Sequence, residues 1–146
     1  MKRKLLYFAI VFFFIFTNSF SKNLKFTKII DLDKPWGSSF ISSNELLVTE
    51  KSGKLKIINI ENNHIKEIEH NLKFLEYGQG GLLDIIYEDG YIWISYTEDR
   101  GNSKTSTSIA KGKFDKKKIF FENIFQANPP IDSGYHFGSR LAIKGN

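Results

Sequence analysis

A repeated strand pattern is the feature that most constrains the fold of this chain. An apolar strand ending in Val48-Thr49-Glu50 is echoed 48 residues later by Tyr96-Thr97-Glu98. Each echo follows another apolar run that begins near a glycine, at residues 36–41 and 81–86, and a third such start occurs at 137–143. A four-stranded unit that recurs every roughly 40 to 50 residues is typical of a β-propeller blade. An unrelated run of hairpins is the alternative interpretation.

The residue pattern also indicates the fold class. Short β-type runs separated by turn residues fill the chain from Phe26 onward, and no stretch has a sustained helical spacing of apolar residues. Ser52-Gly53 and Asp89-Gly90 are hairpin-turn signals. The sequence therefore predicts an all-β protein with strands at residues 46–48, 54–60, 82–87, 91–96, 107–114 and 118–122.

The length limits how much of a propeller this sequence encodes. Residues 22–146 supply about two blades and the first strand of a third, whereas propellers close with roughly four to eight blades. An unclosed propeller exposes a sheet edge and an apolar blade face. We therefore expect a partial propeller that is the N-terminal part of a longer protein.

The first 21 residues have the organisation of an export signal. A positive segment at residues 2–4 precedes an apolar run at 5–16 and a polar end with Ser19 and Ser21. We predict a signal peptide at residues 1–21, a domain that begins at Lys22 and delivery to the bacterial periplasm. An uncleaved membrane anchor is the alternative, although the apolar run is shorter than the about 20 residues that a spanning helix needs.

Charge and cysteine content exclude several function classes. The chain has 21 Lys and Arg against 16 Asp and Glu, but three of the basic residues lie in the predicted signal, so the remainder has 18 against 16. This balance argues against a nucleic-acid footprint. The absence of Cys excludes disulfides, thiolate metal sites and thiol nucleophiles.

Among the three histidines, His136 is the candidate catalytic residue. It stands at the start of a predicted inner strand, between Gly134 and Gly138, which would allow a ligand to approach the backbone closely. A neutral imidazole at the central channel of a propeller can act as a general base. A histidine that is hydrogen-bonded within the blade packing is the alternative. His64 and His70 are expected to be solvated.

Gln79 is the candidate substrate-binding residue. It lies in the Gly-rich segment Gly78-Gln79-Gly80-Gly81, just before a predicted strand. No helix is predicted after this segment, so it does not match a dinucleotide fingerprint. A bend that directs the Gln79 amide into the channel mouth would let it donate to and accept from a hydroxylated ligand. A tight turn with Gln79 in solvent is the alternative.

The other polar and aromatic candidates are weaker. Asp84 and Glu50 could bind a cation, but neither belongs to a calcium-loop pattern, and no paired histidines indicate a metal site. Trp36 and Trp93 are expected to pack between blades. The five lysines between residues 111 and 118 are expected to form a solvated sheet edge.

Five segments occur in one order that resembles the N-terminal third of the glucose/sorbosone dehydrogenase family. They are Pro35-Trp36-Gly37, Leu46 to Glu50, Gly78 to Asp84, Ser95-Tyr96 and His136 to Leu141. The resemblance implies a six-bladed propeller that binds pyrroloquinoline quinone (PQQ) and calcium. It further implies the oxidation of aldose sugars at the anomeric carbon to lactones, with a periplasmic electron acceptor.

The resemblance also suggests roles for particular residues. His136 matches the histidine that takes the hydroxyl proton, and Gln79 matches a glutamine that contacts the sugar. The quinone and calcium ligands are expected beyond Asn146, so we expect the fragment to be inactive alone. Tyr135 stands where relatives often carry Gly or Asp, which affects the expected sugar preference. A calcium-dependent lactonase-like propeller hydrolase and a non-catalytic binding propeller are the alternatives.

Overall fold

The computed structural model describes residues 24–144, and all the regular structure in this range is β. The predicted signal peptide at residues 1–21 lies outside the described residues. No helix between residues 24 and 144 is long and apolar enough to cross a membrane. The strands are β1 (Pro35–Phe40), β2 (Glu45–Glu50), β3 (Leu55–Asn59), β4 (Ile65–His70), β5 (Leu82–Glu88), β6 (Tyr91–Asp99), β7 (Thr105–Lys113), β8 (Lys118–Ile119) and β9 (Phe121–Gln126).

The strands form two separate sheets. The first has the order β1-β2-β3-β4-β8 and the second the order β5-β6-β7-β9. Within each sheet the first four strands pair antiparallel. Asp89 and Gly90 join β5 to β6 with φ of 50° and 78°, which confirms the predicted turn. Two adjacent four-stranded meanders of this kind are two blades of a β-propeller.

The hydrophobic core lies between the two blades. Each sheet contributes fully buried aliphatic side chains to one cluster, and burial of each contributes about 1.5–3 kcal/mol. The cluster includes Leu47, Leu55, Ile57 and Ile68 from the first blade, and Leu82, Ile85, Ile92 and Ile94 from the second. The two blades therefore share a core.

Strand β4 was not predicted from the sequence. Its sequence is Ile-Lys-Glu-Ile-Glu-His, in which charged side chains predominate, and of its six residues only Ile68 is buried. One buried position gives too weak a period-2 signal to distinguish an outer strand from a charged connection. It forms because Ile68 completes the inter-blade core and its backbone pairs with β3.

Strand β8 ties the blades together at their outer edge. Although it lies between β7 and β9 in the chain, it pairs in parallel with β4 of the first blade. The Asn71 side chain extends this link, because its carbonyl oxygen accepts from Phe121 N at 2.7 Å and its amide donates to Phe121 O at 3.1 Å. The side chain thus replaces a backbone partner for the start of β9.

The first strand of each blade, β1 in the first and β5 in the second, is called its inner strand. A buried hydroxyl connects these two inner strands. Thr49 Oγ1 accepts a hydrogen bond from Gly37 N of its own blade at 2.9 Å and donates to Leu83 O of the second blade at 2.5 Å. Thr49 is fully buried. Its hydroxyl therefore satisfies two backbone groups that face each other across the blade interface.

The second blade repeats this arrangement through Ser95. Ser95 Oγ accepts from Asp84 N at 3.0 Å and donates to Ser139 O at 2.6 Å. The structural counterpart of Thr49 is thus Ser95, whereas the sequence echo paired it with Thr97. The echo is displaced by two residues, which preserves the side-chain face because successive strand residues alternate.

Residues 137–143 do not form the expected strand of a third blade. The segment lies against the second blade instead, where Leu141 N donates to Asp84 Oδ2 at 2.7 Å and Thr107 Oγ1 donates to Phe137 O. A strand needs a backbone ladder with a neighbour. Among the described residues, side chains supply the hydrogen-bond partners of this segment. It therefore lies where the inner strand of the next blade would lie, but it forms no backbone ladder.

Candidate functional site

Two loops meet at one end of the blades and build the candidate site. The loop between β4 and β5 contacts the segment after β9, where Gln79 N donates to Gly134 O at 2.7 Å. Gly78 has φ of 58°, and a Cβ atom there would lie 2.3 Å from Gly134 O. The Gly-rich sequence is required because the two backbones touch without an intervening side chain.

The structure brings Gln79 and His136 together. The His136 backbone N–H donates to Gln79 Oε1 at 3.2 Å, although 57 residues separate them. His136 has φ of 65°, a left-handed conformation that costs energy for a residue with a Cβ and is common at functional sites. Because its oxygen holds His136, Gln79 has its amide NH₂ group left to donate to a ligand.

Both side chains are exposed on one cleft of about 250 Å³. The aromatic side of this cleft is Trp36, whose indole is 44% exposed and donates to Ser139 Oγ at 3.3 Å. The expectation that Trp36 packs between blades is wrong. Its neighbour Gly37 packs on β5, and strand alternation turns Trp36 away from the blade interface.

Arg140 places a positive charge in the same cleft, and the sequence did not indicate it. Its side chain is 79% exposed and donates to Asp84 Oδ1 at 3.1 Å. Asp84 is buried and also accepts from Leu141 N. The Asp84 carboxylate therefore orients an arginine, which is a different role from the cation ligand considered from the sequence.

Glu50 is bonded within the chain through one of its two carboxylate oxygens. It is fully buried, and its Oε1 accepts from Lys56 Nζ at 2.7 Å and from Asp33 N at 2.8 Å. Across residues 24–144, no group of three or more His, Asp and Glu side chains is arranged to hold a metal ion.

His70 and His64 differ in their surroundings. His64 is exposed in a turn, whereas His70 is half-buried. The His70 Nε2 atom lies 2.7 Å from Gly53 O, and Nδ1 accepts from Leu72 N at 3.3 Å. His70 therefore joins the β2–β3 turn to the chain after β4, and the expectation that it is solvated is wrong.

Two lysines between residues 111 and 118 contact neighbouring side chains. Lys111 Nζ lies 4.3 Å from the ring centroids of both Tyr91 and Trp93. Lys116 pairs with Glu45 at 2.6 Å. Lys111 therefore makes cation–π contacts on the face of the blade, whereas a solvated sheet edge was expected.

Comparison with known proteins agrees with this architecture. The family model for Glucose / Sorbosone dehydrogenase matches residues 32–146. The Aldose sugar dehydrogenase YliI of Escherichia coli (strain K12) is 30% identical over 123 residues, which cover 78% of this chain and 33% of that protein. The chain therefore spans about a third of the length of this relative.

Solved structures show the same fold. A glucose dehydrogenase crystal structure aligns with a TM-score of 0.73 and 25% identity, covering 79% of this chain and 36% of the other. The PQQ-bound form of Aldose Sugar Dehydrogenase (Adh) from Streptomyces coelicolor aligns with a TM-score of 0.59 and 19% identity, covering 68% and 32%. This last likeness concerns the fold alone. On the match to the family model, the chain belongs to the glucose/sorbosone dehydrogenase family.

Proposed function

We propose that the complete protein oxidises aldose sugars at the anomeric carbon to lactones with PQQ as cofactor. The observation that carries the proposal is the bond between the His136 backbone N and Gln79 Oε1, which keeps these two residues side by side on one cleft. Family membership and the aldose sugar dehydrogenase relative support the substrate class.

The described residues have the chemistry to hold one side of the quinone. PQQ is planar and anionic, so the Arg140 guanidinium would bind an anionic group and the Trp36 indole would provide a flat wall. When bound, the quinone supplies the acceptor for the hydrogen and electron pair that leave the anomeric carbon. Further quinone ligands are expected elsewhere in the complete protein.

The roles of the chain's own residues follow from their chemistry. The neutral His136 imidazole takes the proton of the anomeric hydroxyl, which increases electron density on the oxygen and promotes departure of the hydrogen from carbon. The Gln79 NH₂ group donates to a sugar oxygen and orients the ring. The bond from the His136 backbone to Gln79 would keep the base and the sugar-binding amide together before the sugar arrives.

The described residues do not provide the calcium site that the family resemblance implies. In the described range no set of carboxylates gathers to hold it, and a hard cation prefers six to eight oxygen ligands. These residues do not fit a calcium site, and we assign calcium no step in the chemistry.

Replacement of the proposed base tests the function. In the full-length protein loaded with PQQ, His136→Gln should lower kcat for dye reduction by an aldose about 100-fold or more, because a positioned base is lost. His64→Gln, at an exposed turn, is the matched control and should keep the rate. An unchanged rate in His136→Gln, or no oxidation of any aldose by the unaltered protein, would contradict the proposal.

A quinone-free lactone hydrolysis assay and a sugar-binding measurement separate the alternatives. Hydrolysis of lactones without quinone would favour a lactonase-like hydrolase, and saturable sugar binding without turnover would favour a binding propeller. We further propose that residues 1–21 direct export to the periplasm, where a periplasmic electron acceptor would reoxidise the quinone.

A further inference from the structure

A second cleft, whose lining residues are close in sequence to those of the His136 cleft, has no role in the proposed oxidation. Its volume is about 420 Å³, and it is lined by Leu75, Glu76, Tyr77, Ser103 and Asp132. The same two loops line both clefts, since Tyr77 precedes Gln79 by two residues and Asp132 precedes His136 by four. Because an extended chain spans about 3.3–3.6 Å per residue, the Cα atoms of Tyr77 and Gln79 are at most about 7 Å apart.

Tyr77 forms a supported aromatic surface in this second cleft. The residue is 49% exposed. Its ring edge is backed by Gly134, where an added Cβ would lie 3.3 Å from ring atoms Cδ1 and Cε1. A tyrosine offers a large, rigid contact surface because it has only two side-chain torsions. Gly134 therefore positions a ring that is open to a ligand.

The polar lining of the second cleft favours a neutral hydroxylated ligand. Glu76 bonds Lys34 at 2.7 Å, and this hydrogen bond lowers the pKa of Glu76 and keeps it ionised. Carboxylate oxygens such as those of Glu76 and Asp132 accept hydrogen bonds from hydroxyl groups and disfavour anions. Among the described residues no group of three carboxylates or imidazoles is arranged for a metal ion. An aromatic face with carboxylate acceptors is suited to a sugar ring.

We propose that the Tyr77 cleft is a second sugar subsite, which binds the ring next to the aldose end that lies at His136. The proposed ligands are therefore neutral oligosaccharides with a free aldose end. This inference rests on the proposed function, because that function assigns the oxidised ring to the His136 cleft. The apolar face of the second ring would stack on Tyr77, and its hydroxyls would donate to Glu76 and Asp132.

Kinetics with sugars of two lengths test the subsite. In the full-length protein loaded with PQQ, Tyr77→Ala should lower kcat/KM for maltose about three- to tenfold more than for glucose, as expected for the loss of one aromatic contact. Tyr77→Phe should keep the maltose preference because it keeps the ring. His64→Ala, at an exposed turn outside both clefts, is the control and should not change the ratio. Equal losses for both sugars in Tyr77→Ala would overturn the proposal.

A binding measurement keeps this inference separable from the proposed function. In the His136→Gln background, calorimetry should show tighter binding of maltose than of glucose, and Tyr77→Ala should remove the difference. This result would support the subsite even if no aldose were oxidised. Equal affinities for the two sugars, or a maltose preference that survives Tyr77→Ala, would overturn the subsite and leave the proposed function untouched.

Discussion

At the residue scale, the candidate site depends on a few backbone conformations that side chains rarely allow. His136 and Gly78 both have left-handed φ, of 65° and 58°. Gly78 has the additional constraint that the Gly134 carbonyl lies directly beside its Cα hydrogen. The position of Gln79 therefore depends on the absence of a side chain one residue earlier.

Gly78→Ala should disrupt this loop contact. The added Cβ would lie 2.3 Å from Gly134 O, so the loops must separate as well as accept a strained φ. We expect the free energy of unfolding to fall by about 2–4 kcal/mol, as measured by urea denaturation. Gly101→Ala is the matched control, because Gly101 has φ of 75° but nothing within 4 Å of the added Cβ. It should cost only about 1 kcal/mol.

Equal losses in the two glycine variants would show that backbone strain alone explains the effect. In that case the contact between the loops would not be what holds Gln79 near His136.

At the element scale, hydroxyl groups on the second strand of each blade connect consecutive inner strands. Thr49 and Ser95 perform this role in the first and second blade. The same device explains why residues 137–143 lie in the place of an inner strand although no ladder forms there. The sequence predicted the strands that carry these hydroxyls. It did not predict which hydroxyl of the second blade corresponds to Thr49, because Thr97, two positions after Ser95, also carries a hydroxyl group.

Thr49→Val should weaken the connection between the blades. Valine has a similar shape but leaves Gly37 N and Leu83 O without their hydroxyl partner in a buried position. Leaving buried polar groups unsatisfied costs about 1–3 kcal/mol, and we expect a loss of that size in chemical denaturation. Thr49→Ser keeps the hydroxyl and should retain most of the stability. If Thr49→Val keeps the stability and Thr49→Ser loses it, the methyl packing matters and the hydrogen bonds do not.

At the scale of the whole molecule, one face of the second blade, called the open face below, is left largely uncovered by residues 24–144. Tyr91, Trp93 and Lys111 lie on the face opposite the inter-blade core, and Ile124 and Phe120 are exposed nearby. In a propeller each blade buries such a face against the next blade. A contiguous apolar surface of this kind is otherwise a site of association.

Residues 22–146 produced alone should therefore self-associate. Sedimentation velocity should show a mass that rises with protein concentration, because the open face is buried between copies. Ile124→Lys should shift the protein toward the monomer, since Ile124 is 52% exposed and its replacement adds charge with little loss of packing. A monomer at all concentrations would contradict this prediction, because it would show that the open face does not drive association.

The sequence by itself determined the all-β class, the two blades, the hairpin turns and the candidate pair Gln79 and His136, because alternation and turn chemistry are local properties. The roles of this pair in catalysis and sugar binding stay predictions. Only the tertiary structure decided that Gln79 bonds His136 across 57 residues, and that Trp36 and Arg140 face the same cleft. It also decided the outer strands β4 and β8. These features depend on which distant segments meet, and neither periodicity nor turn residues report long-range pairing.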